Sequence, residues 1–156
     1  MNGKPEYVYV ASSWRNPVQV AVCAALRSVG IEHYDFRNPP DGEGFSWRQV
    51  DPSYGEGIRA KGDDHVPVEQ YLEMLGHDRA VEGYDNDMAA MLQADTFVMV
   101  LPCGKSAHME LGWAVAAGKR TAILLEDPME PDLMYRMADY LAPSMMDLLG
   151  WLGVED

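Results

Sequence analysis

Cysteine is scarce in this chain, basic charge is outnumbered, and long apolar runs are missing. The 156 residues include two cysteines, Cys23 and Cys103, too few for a disulfide framework, and no paired Cys/His spacing suggests structural zinc. Twelve Lys and Arg stand against 25 Asp and Glu, a formal net charge of −13. That balance argues against a nucleic-acid partner, because gripping a phosphate backbone requires a basic face. No apolar stretch approaches the roughly 20 residues of a membrane span. The opening Met1-Asn2-Gly3-Lys4-Pro5 lacks the apolar core of a signal peptide. With 47% hydrophobic and 24% charged residues, the expectation is one soluble, cytoplasmic, acidic domain over 1–156.

What is present is an alternation of short apolar strands and helices. Tyr7 to Ala11 is β-rich and ends in Ser12-Ser13. Asn16 supplies a helix cap, Pro17 suits the first helical position, and Val18, Val22, Ala25, Leu26 and Val29 recur at helical spacing until Gly30. Ile31 to Phe36 reads as a second strand. Helices follow at Pro67–Leu75 and at about Asp78–Ala94, the latter with an expected apolar stripe of Tyr84, Met88, Met91 and Leu92. Thr96 to Leu101 is apolar without alternation, as a strand covered on both faces would be. After the turn Pro102 to Lys105 comes a helix over Ser106–Ala117, closed by Gly118, then a buried strand at Thr121–Leu125. A short last strand is expected around Met137–Leu141 and a final helix over Met145–Leu152.

Residues 37 to 66 interrupt this alternation with Pro39-Pro40-Asp41-Gly42, Gly44, Pro52, Gly55, Gly57 and Gly62. The segment carries Phe45, Trp47 and Tyr54, and disordered tethers are poor in aromatics, so a lid is the expected form. The rest indicates an α/β fold, a flavodoxin-like doubly wound parallel sheet of about five strands with helices on both faces. Ligands in such sheets bind beyond the carboxyl ends of the strands. That points to the turns at Ser12–Asn16, after Phe36 and at Pro102–Ser106.

Along Ser106–Ala117 the only formal charge is Glu110. A helix apolar nearly all round is packed on several sides, so this carboxylate is expected to be at least partly buried. A capping box does not explain it. The motif needs Ser or Thr three residues before the Glu, where this chain has Ala107. The helix dipole would keep Glu110 ionised, as a nucleophile requires. Asp87, beside the stripe of the preceding helix, is the natural second carboxylate, able to handle a proton while the other attacks.

Several quoted features converge here. They are Asp87, Ala94-Asp95, the strand Phe97-Val98-Met99-Val100, the turn Pro102-Cys103-Gly104, the block His108-Met109-Glu110-Leu111-Gly112, and Gly118-Lys119. Together they resemble the nucleoside 2-deoxyribosyltransferase superfamily, which also holds nucleoside-monophosphate N-glycosidases. The opening strand followed by Ser12-Ser13-Trp14-Arg15 is compatible with it, and the resemblance covers most of residues 6–125. It implies covalent displacement at C1′ of a ribose or deoxyribose, with Glu110 as nucleophile and Asp87 handling the base or its proton. It also implies a homodimer or larger assembly. No cofactor and no metal are expected.

The transferases carry acidic residues before the nucleophile's helix to read the base, whereas this chain has Gly104-Lys105-Ser106. The expectation is therefore hydrolysis rather than base transfer. Lys105, Ser106 and a helix amino terminus suit an anion, with Ser12, Ser13 and Arg15 nearby, so a nucleoside monophosphate is a reasonable substrate. Ser106 reads equally as a simple helix cap. His108 either orients Glu110, contacts the sugar or serves structure. Trp14, Trp47 and Tyr54 stack on a base or serve packing. Asp63-Asp64-His65 reads as exposed loop rather than a metal site, and Cys103 lacks the base partner of a nucleophile. Two other readings stand beside this one: cleavage of NAD by a TIR-like domain, and a non-catalytic nucleotide-sensing module.

Overall fold

Every residue of β1 (Val8–Ala11) and of β3 (Thr96–Val100) is buried, so both strands are covered on two faces. The structure, a computed structural model, describes residues 3–40, 42–54 and 65–155. The strands β2 (His33–Tyr34), β4 (Arg120–Leu124) and β5 (Tyr140–Ala142) complete a five-stranded sheet in the order β2-β1-β3-β4-β5. All four pairings are parallel. This is the flavodoxin-like, doubly wound α/β fold, and the direction of winding reverses between β1 and β3, where such sheets open a crevice. Among the described residues no helix is long and apolar enough to cross a membrane.

Strand alternation assigns the two faces. Val8, Val10, Val98, Val100, Ala122 and Leu124 join Val22, Cys23 and Leu26 of α1 (Pro17–Ser28) and Leu148 of α5 (Met145–Trp151) in one core. The opposite face carries an aromatic row: Tyr9 stacks on Tyr34 at 5.3 Å and on Phe97 at 5.0 Å, and Phe97 meets Trp113 at 6.0 Å. Trp113 belongs to α4 (Lys105–Ala116), which packs against β1, β3 and β4. Asn16 caps α1, Pro17 occupies its first turn, and Gly30 (φ +70°) turns the chain out of the helix in a conformation that favours glycine.

Four expectations are corrected. The second strand pairs only over His33–Tyr34 because β2 is the sheet edge with one neighbour. The last strand begins later than expected, since Leu133–Met137 winds into a 3₁₀ turn capped by Asp132. In α3 (Asp78–Gln93) half of the expected stripe is corrected: Met91 is buried and Met88 half-buried, but Tyr84 and Leu92 are each 65% exposed. Small residues, Ala80, Gly83 and Ala90, are buried in this helix as well. The helix α4 is less enclosed than its composition suggests, because Met109 points outward.

The chain divides into two compact units, one with residues up to Asp35 and from Ala90 onward, the other between Phe36 and Ala89. The first holds the whole sheet. In the second, Ser46 and Gln49 form a capping box on the 3₁₀ turn Trp47–Gln49. Asp51 accepts from Ser53 and from Gln70 of α2 (Val68–Leu75). Phe45 lies edge-on to Trp47, under the Arg79 guanidinium and against Gly83, where a Cβ would come within 3.0 Å of the ring. Of the expected lid, Asp41 and residues 55–64 lie outside the described residues, as do Asp63 and Asp64.

Candidate active site

At the switch point a single buried amide ties three elements together. Asn16 is 2% exposed. Its Oδ1 accepts from the Val18 N–H at 2.9 Å, and its Nδ2 donates to Ser12 Oγ at 3.1 Å and to the Val100 carbonyl at 3.2 Å. The Ser12 hydroxyl donates to the same carbonyl at 2.8 Å. The carboxyl ends of β1 and β3 and the start of α1 are thus braced together. Ser12 has a structural duty at the crevice. Ser13 Oγ accepts from the Arg15 N–H, and the Trp14 and Arg15 side chains are exposed beside it.

Glu110 is half-buried two turns into α4. Its place follows from helix geometry. Ala107, Leu111 and Ala114 form the buried stripe against the sheet, and at about 100° per residue Glu110 and His108 fall on opposite flanks of that stripe. The His108 flank meets Tyr135 in the β4–β5 connection, with Nε2 and the phenol oxygen 2.9 Å apart. Trp113, one turn beyond Glu110 on the other flank, touches Phe97 in the row leading to β1. By helix spacing Glu110 thus shares the Trp113 side of α4 rather than the His108 side, and a helical side chain leans toward the amino terminus, the end at which the strands present their carboxyl ends.

His108 does not orient Glu110. Its hydrogen bonds go to the Gly104 carbonyl at 2.6 Å and to Tyr135. On that flank, Leu101, Pro102, Cys103, His108, Met129, Pro131 and Tyr135 line a cleft of about 330 Å³ together with Glu126, Glu130 and Asp132. Burial, then the negative charges of Glu110 and Glu126, pushes the Cys103 thiol up to about 12. Burial first, then the Cys103 sulfur and the carboxylates Asp132, Glu126 and Glu130, also raises Tyr135, so the phenol keeps its proton. The Cys103 sulfur lies 3.8 Å from His108 Nδ1, and the raised thiol disfavours the thiolate that a nucleophile would need.

This field is measurable. Iodoacetamide should label Cys103 on the order of 100-fold more slowly at pH 8 than it labels a free cysteine. The rate should keep climbing beyond pH 10, because the thiolate fraction is still rising there. Glu110→Gln and Glu126→Gln should each accelerate labelling, read by mass spectrometry of the Cys103 peptide. A rate that levels off near pH 9 would contradict the raised thiol.

The amino terminus of α4 departs from expectation in one detail. The N-cap is Gly104 and no side chain caps it, so Ser106 sits inside the first turn, exposed like Lys105. Asp87 and Trp47 are both half-buried in the second unit. Sequence reasoning took Asn16 only as a cap and passed over Gln19, which is fully buried and donates to Asp35 Oδ1 at 3.0 Å. It passed over Tyr135 as well. Gly118-Lys119 has a structural explanation at the amino-terminal ends of the strands: Lys119 Nζ donates to the Leu92 and Ala94 carbonyls at the end of α3.

No family model and no curated protein matches the chain. Among solved structures, it is similar to a 2-deoxyribosyltransferase from the psychrotolerant bacterium Bacillus psychrosaccharolyticus, with 18% identity and a TM-score of 0.56 over 91% of this chain and 89% of that one. It is also similar to a conserved protein from Enterococcus faecalis V583, at 14% identity and a TM-score of 0.50 over 94% and 96% of the two chains. These likenesses establish a shared fold.

Proposed function

We propose that the protein cleaves the N-glycosidic bond of a nucleoside or nucleoside 5′-monophosphate, with Glu110 as the nucleophile and water as the acceptor. The observation that carries this reading is the half-buried Glu110 on α4, the helix that follows the central strand β3, on a scaffold shared with a 2-deoxyribosyltransferase. A fixed anion beneath C1′ stabilises the oxocarbenium-like transition state of glycosidic cleavage. Glu110 attacks C1′ as the bond to the base nitrogen breaks, and the electron pair leaves with the base, which takes up a proton. Water then hydrolyses the glycosyl ester and restores the carboxylate. Asp87 keeps the proton-handling role that the resemblance gives it.

Gly104-Lys105-Ser106 supplies a cation and free helix N–H groups, and no acid to read an incoming base, which favours hydrolysis of a phosphorylated substrate. The testing experiment is release of free base from a panel of nucleosides and their 5′-monophosphates, with and without an added second base. Lys105→Ala should lower kcat/KM about tenfold for monophosphates, the worth of one charge-assisted hydrogen bond, and less than about twofold for nucleosides. Equal losses on both would remove the phosphate from the reading. No base released from any member of the panel would remove the reading itself.

A further inference from the structure

The Gly104 carbonyl, at the N-cap of the helix that carries Glu110, accepts two hydrogen bonds from one residue. The His108 backbone N–H reaches it at 3.4 Å, a long first helical bond, and His108 Nδ1 reaches it at 2.6 Å. A carbonyl only accepts, so Nδ1 carries a proton. In the neutral ring Nε2 then accepts, and the partner at 2.9 Å is the Tyr135 hydroxyl, which donates. The two rings stack at 5.7 Å and 27°. Tyr135 stands on the 3₁₀ turn of the β4–β5 connection, 27 residues from His108. One chain of hydrogen bonds thus runs from that connection, through an imidazole, into the first turn of α4.

We propose that His108 and Tyr135 are a positioning pair for the chemistry of Glu110: they hold the Gly104 carbonyl and so fix the start of α4. The proposal rests on the functional reading above. Neither residue touches the substrate in this account, since His108 lies on the flank away from Glu110. Both act through the backbone. Gly104 has no side chain to cap its own helix, and the short Nδ1 bond secures the turn that the long backbone bond leaves loose. A carboxylate leaning toward that end of the helix moves with it, and a 1 Å misplacement of a reacting group costs up to about a hundredfold in rate.

The experiment uses the full chain. Nitrogen NMR of neutral His108 should show the Nδ1–H tautomer, and His108→Ala should raise hydrogen exchange at the amides of the first turn of α4. In the base-release assay, Tyr135→Phe should lower kcat about fivefold and His108→Ala about thirtyfold, both with KM within about twofold. His108→Asn, whose amide reaches where Nδ1 stood, should recover most of the His108→Ala loss. A purely structural role predicts lost folded protein at normal kcat, and that result would overturn the proposal. So would the Nε2–H tautomer, or Asn and Ala variants that behave alike. Should the wild type release no base, the functional reading fails, while tautomer and exchange still decide whether the pair holds the turn.

Discussion

Glu110→Gln is expected to lower base release by at least about 10³-fold, a loss near 4 kcal/mol of transition-state stabilisation. The amide is close to the carboxylate in shape, so the half-buried site should refill without a cavity. What vanishes is the charge that attacks C1′ and offsets the positive charge growing on the sugar. Single-turnover rates should fall as far as steady-state rates, because the missing step is the chemical one. Acid-quenched wild-type protein should carry a sugar adduct on the peptide containing Glu110, and the variant should not. The thermal midpoint should stay within about 3 °C, as for a near-isosteric substitution at a half-buried position. A variant that keeps a tenth of wild-type activity would assign Glu110 to structure, and the chemistry would need another carboxylate.

The largest effect on stability is expected from Asn16→Ala, at about 2–4 kcal/mol. The residue is 2% exposed, and its side chain hydrogen-bonds Val18, Ser12 and the Val100 carbonyl. Removing it takes away the cap of α1, worth about 1 kcal/mol, and leaves the Val18 N–H without its acceptor. Ser12 still reaches the Val100 carbonyl at 2.8 Å, which limits the damage on that side. At about 2–4 °C per kcal/mol for a chain of this size, the midpoint should drop by about 4–16 °C. Asn16→Asp should fall between wild type and alanine. It keeps the acceptor for Val18 but loses both donors and turns a negative oxygen toward the Val100 carbonyl. Differential scanning calorimetry separates the three. A drop below about 2 °C for alanine would show that the brace adds little to holding β1 beside β3.

How far the sequence foretold this structure depends on how local each signal is. Asn16-Pro17 announced the start of α1, and Gly30 its end, because caps and left-handed glycines act over one turn of chain. An apolar run without alternation announced β3, because a strand covered on both faces carries apolar residues on both, and short β-rich or apolar runs announced β1 and β4. Failures came where neighbours in space decide. The stripe of α3 was right at Met88 and Met91 and misread at Tyr84 and Leu92, because Ala80, Gly83 and Ala90, which carry little hydrophobic weight but admit close approach, are buried beside the two methionines. The first residue of α4 was misplaced because Gly104 caps with its backbone alone. The sequence singled out Glu110 as a lone charge in an apolar helix, but which flank it occupies emerged only once Tyr135 was seen against His108. Two residues 27 positions apart leave no periodic mark.

The aromatic row across the sheet has an optical consequence. Tyr34, Tyr9, Phe97 and Trp113 follow one another ring to ring at 5.0–6.0 Å between centroids, well inside the range over which excited tyrosines hand their energy to an indole. Part of the light absorbed by Tyr9 and Tyr34 is therefore handed to Trp113 on α4, one turn from Glu110. With the chain's three other tryptophans replaced, the emission of Trp113 becomes a gauge of how firmly α4 is seated on the strands, with no added dye.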